Sequence, residues 1–182
     1  MPNSTIPARL HFEDLRLCET FALGPVTVTA DDIKSFARQF DPLPFHLDEE
    51  AGRRSLLGGL AASGWHTGAL ALRLLADAFL AGVAALGVAR VENLKWRKPL
   101  LAGDTLSGTA VIAELQRSDD SPQIGLMSLD FTLRNRKDQV LMTMRVIEKV
   151  AVRDPSAPPA ADAVLPATGE ASSPADGNGG GE

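Results

Sequence analysis

An acid and an imidazole lie five residues apart in the stretch from Phe40 to Leu75, where Asp41 and His46 flank Pro42 and Pro44. Histidine exchanges its proton near neutral pH, and a nearby carboxylate can share or orient that proton. Each proline lacks a backbone donor and pushes the preceding residue toward extended geometry, so this stretch is predicted to be a loop rather than regular helix. The pair therefore indicates general acid–base chemistry. The alternative is that Asp41 caps a turn and His46 is an ordinary half-buried side chain.

A glycine opens the helix that is predicted to follow this loop. The run from Gly64 to about Leu86 is apolar nearly all round, which indicates a buried helix, and Gly87 is expected to end it. The first amides of a helix have no intrahelical acceptor and lie at the positive end of its dipole. A carbonyl oxygen placed there would be stabilised as it gains negative charge. The alternative is that Gly64 only permits close packing.

Several neighbouring side chains could line such a site. The candidates for substrate contact are Phe45, Ser63, Trp65 and His66. Of these, Trp65 also suits a core position, and His66 suits the core and the site equally well. Four cations could either meet anionic phosphates at the rim of a pocket or simply be solvated: Arg53, Arg54, Arg97 and Lys98.

A metal site is the other chemistry that these residue types allow, with Asp41, His46, Asp48 and His66 as the candidate ligands. No recognised ligand spacing such as H-E-x-x-H joins them. Asp48 is instead expected to cap the short segment after it, because acids follow it directly. We therefore expect no metal. Cys18 has no partner motif and is expected to be structural.

The totals limit the class of protein. With 182 residues the chain can form one domain with a sizeable core. Its net charge of −5 argues against nucleic-acid binding, which needs a basic face. A single cysteine excludes an intramolecular disulfide and fits a reducing compartment. The first 15 residues do not resemble a signal peptide, and Arg73 and Asp77 interrupt the longest apolar run, so no membrane span is expected. The expected location is the cytoplasm.

The predicted elements are a bent strand, a helical insertion, the long helix and four further strands. The first strand runs from Glu19 to about Thr29 with a bend at Gly24-Pro25, and Thr29 is expected to cap a short helix to about Gln39. The later strands are predicted at 89–98, 105–116, 124–135 and 139–150, the last three as an antiparallel meander. This order indicates an α+β domain over residues 1–153, with a curved antiparallel sheet wrapped around the helix. Residues 154–182, rich in Pro, Ala, Gly and Ser, are predicted to be a disordered tail.

The polar stretch resembles the signature of the MaoC-like acyl dehydratases, the (R)-specific enoyl-CoA hydratases of the hot-dog fold. The matching residues read Asp41-Pro-Leu-Pro-Phe-His46-Leu-Asp48, then Ala51, then Ala61-Ala62-Ser63-Gly64. The later segment from Trp96 to Leu106, WRKPLLAGDTL, is similar to the strand and P-x-x-x-G-D-x-L turn of the family. The resemblance covers roughly residues 15–150. Where the family often has a histidine before the helix glycine, this chain has Ser63.

The resemblance implies a hot-dog domain that forms a homodimer with its sites at the subunit interface. It further implies a hydro-lyase of fatty acid metabolism, in which Asp41 and His46 activate a water that adds to C3 of a trans-2-enoyl thioester and pass a proton to C2. The Gly64 amide would hold the thioester oxygen. The substrate would be carried by CoA or acyl carrier protein, and no metal or redox cofactor is implied.

Two other functions remain open at this point. Hot-dog thioesterases typically place a carboxylate on or near the central helix, and Asp77 is the one carboxylate well inside the predicted helix. A non-catalytic subunit that binds acyl thioesters is the third alternative.

Overall fold

The computed structural model describes residues 9–156 and 163–164. Its sheet has the strand order β1-β3-β4-β5-β2, with every neighbouring pair antiparallel. The strands are β1 (Thr20–Thr27), β2 (Ala85–Trp96), β3 (Thr105–Arg117), β4 (Ile124–Arg134), β5 (Val140–Ala151) and β6 (Ala163–Val164). The helices are α1 (Ala30–Phe40), α2 (Pro44–Leu47), α3 (Glu49–Arg54) and α4 (Gly64–Ala78). The α+β class and the meander β3-β4-β5 are as predicted.

The alternation of apolar and polar residues builds the inner face of the sheet. Leu129, Phe131 and Leu133 of β4 are at most 2% exposed and belong to one core that also contains Leu74 and Leu75 of α4. Burying one such side chain contributes about 1.5–3 kcal/mol. The long helix and the sheet therefore stabilise each other through a common apolar core.

The first strand and helix follow their local signals. The register of β1 on β3 shifts between Leu23 and Val26, which is the predicted irregularity at Gly24-Pro25. At the start of α1, the Thr29 hydroxyl accepts a hydrogen bond from the Asp32 amide while the Asp32 carboxylate accepts one from the Thr29 amide. This capping box is worth about 1 kcal/mol and fixes where α1 begins. The helix then delivers the chain to Asp41.

The central helix is shorter than predicted. It ends at Ala78, a 3-10 turn follows at Leu80–Gly82, and Gly87 lies within β2 with φ of +120° rather than at the end of a helix. An apolar run is compatible with a buried helix and with a strand, so the sequence did not mark the change from α4 to β2. The chain leaves the helix where Phe79 stacks on Phe21 of β1, with ring centroids 3.9 Å apart.

The expectation that this helix is buried on every side is also wrong for the single chain. Trp65, Ala69, Arg73 and Asp77 recur at intervals of four and form an exposed stripe along α4. Trp65, which the sequence also allowed in the core, is 64% exposed.

The proline-flanked segment differs from the predicted loop in one respect. Leu43 has extended geometry, as expected before a proline, but Pro44–Leu47 form a four-residue helix with the proline at its first position. A proline is tolerated there because the first amide of a helix has no intrahelical partner. His46 therefore lies on a short helical turn, which orients it more tightly than a loop would.

The end of the chain adds a short pairing that the sequence did not predict. Ala163 and Val164 pair with Leu115 and Glu114 of β3, whereas the rest of the tail predicted to be disordered beyond residue 156 lies outside the described residues. Among the described helices, none combines the length and the apolar character needed to cross a membrane.

Candidate active site

The predicted acid and imidazole face each other. Asp41 is the residue that ends α1, and its Oδ2 atom lies 3.4 Å from Nε2 of His46 on α2. His46 is 6% exposed, whereas the Asp41 side chain is 25% exposed and reaches the wall of a cavity. The pair is therefore shielded from bulk water on the imidazole side and open on the carboxylate side.

A hydrogen bond on the far side of the ring determines which nitrogen of the neutral His46 ring carries the hydrogen. Nδ1 lies 2.7 Å from the carbonyl oxygen of Ala61. A carbonyl can only accept, so Nδ1 must carry the hydrogen, and in the neutral ring Nε2 is then an acceptor. Two acceptors, Nε2 and the Asp41 carboxylate, therefore lie 3.4 Å apart in the wall of the cavity. This arrangement suits a water molecule that donates a hydrogen to each of them.

The start of α4 leaves the Gly64 amide available. The Ser63 hydroxyl accepts a hydrogen bond from the Trp65 amide at 3.2 Å, and the Ser63 carbonyl accepts one from the Thr67 amide at 3.0 Å. Gly64, between them, is the first helical residue, and its amide has no acceptor one turn earlier in the helix. The capping by Ser63 thus leaves the Gly64 amide as a donor at the positive end of the helix dipole.

Gly64 is also fixed by close packing. A Cβ atom at this position would lie 2.7 Å from the indole ring of Trp96, far inside contact distance. The Trp96 indole N–H donates a hydrogen bond to the Gly64 carbonyl at 3.0 Å. Gly64 is therefore both the first residue of the helix and a position where close packing requires a glycine, so both alternatives raised from the sequence describe it.

One cavity of about 470 Å³ brings most of the predicted residues together. Six of the seven line it: Asp41, Phe45, His46, Ser63, Gly64 and Trp65. Two of the four predicted rim cations, Arg97 and Lys98, line it as well. The other two, Arg53 and Arg54, pair with Glu50 on the surface of α3.

His66 does not line this cavity. The prediction that it contacts a substrate there is therefore corrected. It lines a separate cavity of about 390 Å³ between α1 and α4, and its ring stacks on Phe36 with centroids 4.6 Å apart. Burial lowers the pKa of His66, against the opposing effect of the Asp32 carboxylate. In a helix, successive side chains point about 100° apart, so Trp65 and His66 cannot face the same space.

Trp96 is the main site residue that sequence reasoning missed. In the sequence it was only one residue of a predicted strand, in the segment WRKPL. In the structure it lines the cavity and donates a hydrogen bond to the Gly64 carbonyl. An aromatic residue at the end of a predicted strand gives no signal of a contact with a glycine 32 positions earlier. Thr67, whose hydroxyl donates to the Ser63 carbonyl at 3.3 Å, was missed for the same reason.

The remaining polar candidates have structural positions. Asp48 caps α3, as predicted, by accepting a hydrogen bond from the Ala51 amide at 2.7 Å. Asp77 is exposed, pairs with Arg73 and does not line the cavity. Within the described part of the chain, no three His, Cys, Asp or Glu side chains come together as a metal site would require.

Comparisons with known proteins bear on the fold and the family. The family model described as "MaoC like domain" matches residues 19–126. A MaoC-like dehydratase from Rhodospirillum rubrum is 38% identical, with 80% of this chain and 99% of that chain covered and a TM-score of 0.72. The R-hydratase PhaJ1 from Pseudomonas aeruginosa is 17% identical, with 84% and 96% covered and a TM-score of 0.63. Rv0216 from Mycobacterium tuberculosis, described as a double hot-dog fold, is 18% identical, with 84% and 47% covered and a TM-score of 0.68. The last two likenesses show the fold, which is the predicted hot-dog fold.

The contact between Gly64 and Trp96 leads to a prediction about stability. Gly64→Ala is expected to lower the free energy of unfolding by about 1–3 kcal/mol, because the added methyl group overlaps the indole. Gly68→Ala is the matched control in the same helix, where an added Cβ meets nothing within 4 Å. There the change is expected to stabilise by about 0.5–1 kcal/mol. Urea denaturation of the two variants measures both values.

A second background separates overlap from other effects. In a Trp96→Ala chain, Gly64→Ala is expected to lose most of its cost, since the overlapping ring is gone. Equal costs in the two backgrounds would show that the indole is not what restricts residue 64.

Proposed function

The chain belongs to the MaoC-like domain family, the family of the hot-dog dehydratases and hydratases, and on that premise we propose that it is a hydro-lyase of acyl thioesters. In this proposal it adds water to trans-2-enoyl thioesters, or removes water from 3-hydroxyacyl thioesters. The observation that carries it is the 3.4 Å contact between the Asp41 carboxylate and His46 Nε2 in the lining of the cavity that also contains the Gly64 helix start.

The chemistry follows from the two acceptors. A water held between Asp41 and His46 gives up a proton to this pair as its oxygen forms the new bond to C3 of the enoyl group. The electrons of the C2–C3 double bond move toward the thioester, which becomes an enolate with negative charge on its oxygen. The Gly64 amide stabilises that charge, and one such donor is worth about 10²–10³ in rate. The pair then delivers the proton to C2 as the enolate collapses, and dehydration follows the same steps in reverse.

The mouth of the cavity supports CoA as the carrier. Arg97 and Lys98 are exposed at its wall, and among the described residues neither forms an ion pair with an acid. Exposed cations on one side of an opening suit the phosphates of a CoA substrate, while the uncharged pantetheine arm reaches inward. Acyl carrier protein, which also presents a pantetheine arm, is the alternative carrier.

The thioesterase alternative gains no support from the position of Asp77. Its carboxylate lies on the exposed stripe of α4, paired with Arg73 at 2.8 Å and outside the cavity. The carboxylate that does line the cavity is Asp41, next to an imidazole that can exchange a proton. That pairing fits proton transfer to and from water.

The dyad predicts the outcome of a direct assay. The wild-type protein is expected to remove the enoyl absorbance of crotonyl-CoA or of a longer or branched enoyl-CoA. Asp41→Asn and His46→Ala are each expected to lower kcat by about 10²–10⁴, because each removes one of the groups that move the proton. Asp48→Asn is the matched control, since this nearby acid only caps α3.

Release of free thiol during the same assay would indicate a thioesterase. Ligand binding with no turnover on the whole panel of enoyl-CoAs would indicate the binding subunit. Full activity of Asp41→Asn would contradict the proposed mechanism even if hydration occurs.

The carrier proposal is tested with a shortened substrate. An Arg97→Ala/Lys98→Ala variant is expected to raise KM for an enoyl-CoA about tenfold or more, since phosphate contacts act mainly in binding. The same variant should handle the enoyl thioester of N-acetylcysteamine, which has no phosphates, as the wild type does. Arg53→Ala/Arg54→Ala, which removes two cations outside the cavity, is the control. An equal effect on both substrates would contradict a phosphate contact.

We further propose that the chain forms a homodimer through β2. This strand lies at the edge of the sheet and exposes Leu86, Val88, Val91 and Trp96 by 46–56%. An exposed apolar edge strand has unpaired backbone groups and a surface suited to pairing with a second chain.

The dimer is tested by sedimentation velocity. The wild-type chain is expected to sediment as a dimer, whereas Val91→Lys should shift the population toward monomer, because it places a charge in the apolar surface of β2. Ala22→Lys is the control, since Ala22 is exposed on β1 at the opposite edge of the sheet. A monomeric wild type, or a dimer broken only by Ala22→Lys, would contradict the assignment to β2.

A further inference from the structure

The peptide that links Gly64 to Trp65 is held at both of its polar atoms. Its carbonyl accepts the hydrogen bond of the Trp96 indole at 3.0 Å, and its N–H donates to the Ser63 hydroxyl at 3.2 Å. A peptide group is planar, so these two bonds together fix the orientation of the plane. The Ser63 hydroxyl belongs to the cap of α4, whereas the Trp96 indole belongs to β2 at the edge of the sheet.

The preceding peptide carries the N–H of Gly64, a residue that lines the cavity. The Ser63 carbonyl accepts hydrogen bonds from the Thr67 amide and from the Thr67 hydroxyl. In a trans peptide the N–H points opposite to the carbonyl, so these bonds direct the Gly64 N–H away from the helix. The angle between the two planes depends on φ and ψ of Gly64, the residue with the fewest steric limits on both.

The Trp96 ring restricts φ and ψ of Gly64, which has no side chain of its own to restrict them. It lies against the side of Gly64 where a Cβ would be, with indole atoms 2.7 Å from that position. The ring also contacts Trp65, edge to face, with centroids 5.4 Å apart and planes at 80°. Its backbone is paired with Met142 of β5, and the next amide, of Arg97, donates to the Leu141 carbonyl at 2.8 Å.

We propose that Trp96 is a positioning residue for catalysis: its indole N–H and ring hold Gly64 so that the Gly64 amide points at the thioester oxygen. This inference rests on the proposed hydro-lyase function. Trp96 acts through the Gly64 peptide rather than on the reacting atoms. Since a donor stabilises an enolate only when it is already oriented, loosening this peptide lowers the rate more than it weakens substrate binding.

The test compares Trp96 with an aromatic residue outside the cavity. Trp96→Phe keeps an aromatic ring and removes the N–H, and it is expected to lower kcat about tenfold with KM for the enoyl thioester changed less than about threefold. Phe79→Leu is the control for loss of aromatic packing, because Phe79 stacks on Phe21 and does not line the cavity. For Phe79→Leu, kcat is expected to stay within about twofold of the wild type.

A spectroscopic measurement separates positioning from general loss of structure. In the Asp41→Asn background turnover is expected to be slow enough to observe the bound substrate, and isotope-edited infrared spectroscopy reports the stretch of its thioester carbonyl. A donor at the oxygen lowers this frequency relative to solution. The frequency is expected to move back toward the solution value in Asp41→Asn/Trp96→Phe, and to stay low in Asp41→Asn/Phe79→Leu.

Should Trp96→Phe fail to fold, a change that keeps the shape of the ring replaces it. In a Trp65→Phe chain, Trp96 is the one remaining tryptophan of the two, so it can be replaced biosynthetically by benzothienylalanine, which has sulfur in place of the N–H. An unchanged kcat and an unchanged carbonyl stretch in this protein relative to the same Trp65→Phe chain with ordinary tryptophan, or in Trp96→Phe relative to the wild type, would overturn the positioning role while leaving the hydratase function intact. A wild-type protein that hydrates no enoyl thioester would overturn both.

Discussion

The hydrogen bond of 2.7 Å between His46 Nδ1 and the Ala61 carbonyl joins the two halves of the candidate site. His46 belongs to the helical turn that follows Asp41, whereas Ala61 belongs to the extended segment that leads into α4. Because a carbonyl only accepts, this one bond fixes the position of the ring and the nitrogen that holds the hydrogen. Without it the imidazole would be buried with an unpaired polar atom, at a cost of about 1–3 kcal/mol. The acceptor character of Nε2, and with it the proposed chemistry, depends on this contact.

The Ala61 carbonyl can play this part because its own segment is paired with the connection between β2 and β3. Ala61 forms a bridge with Leu101, the Ala62 amide donates to the Leu100 carbonyl at 2.8 Å, and the Ala102 amide donates to the Leu60 carbonyl at 2.9 Å. The same connection begins just after Trp96, which contacts Gly64. One stretch of about seven residues therefore supports both the imidazole and the helix start. This explains why a segment without catalytic side chains, WRKPLLA, belongs with the signature of the site.

The sequence predicted the features that depend only on residues close together in the chain, such as helix caps and the alternation of a strand. Thr29 and Asp48 cap helices through bonds that span three residues, and the alternation of Leu129, Phe131 and Leu133 depends only on the period of a strand. The type and spacing of Asp41 and His46 predicted a pair because six residues of proline-bounded chain leave little freedom. By contrast, the contact of Trp96 with Gly64 spans 32 positions and depends on the path of the whole sheet. The end of α4 was missed because Phe79 stacks on a residue of the first strand, which no local pattern reveals.

The first turn of α4 combines roles that would conflict at a single residue. Ser63 caps the helix, Gly64 presents the free amide, and Trp65 and His66 face different cavities. Only a glycine leaves room for the indole of Trp96. The backbone of a free glycine is flexible, so the Gly64 amide has a fixed direction only because Trp96 restrains it. The contact with Trp96 offsets the backbone entropy that Gly64 loses. That tryptophan is the last residue of β2, the strand proposed to pair with a second chain, and it is 47% exposed in the single chain. If β2 pairs as proposed, the partner covers the strand that carries Trp96, the residue that holds the Gly64 peptide. Assembly of the dimer then also affects the orientation of the Gly64 amide, the proposed oxyanion donor.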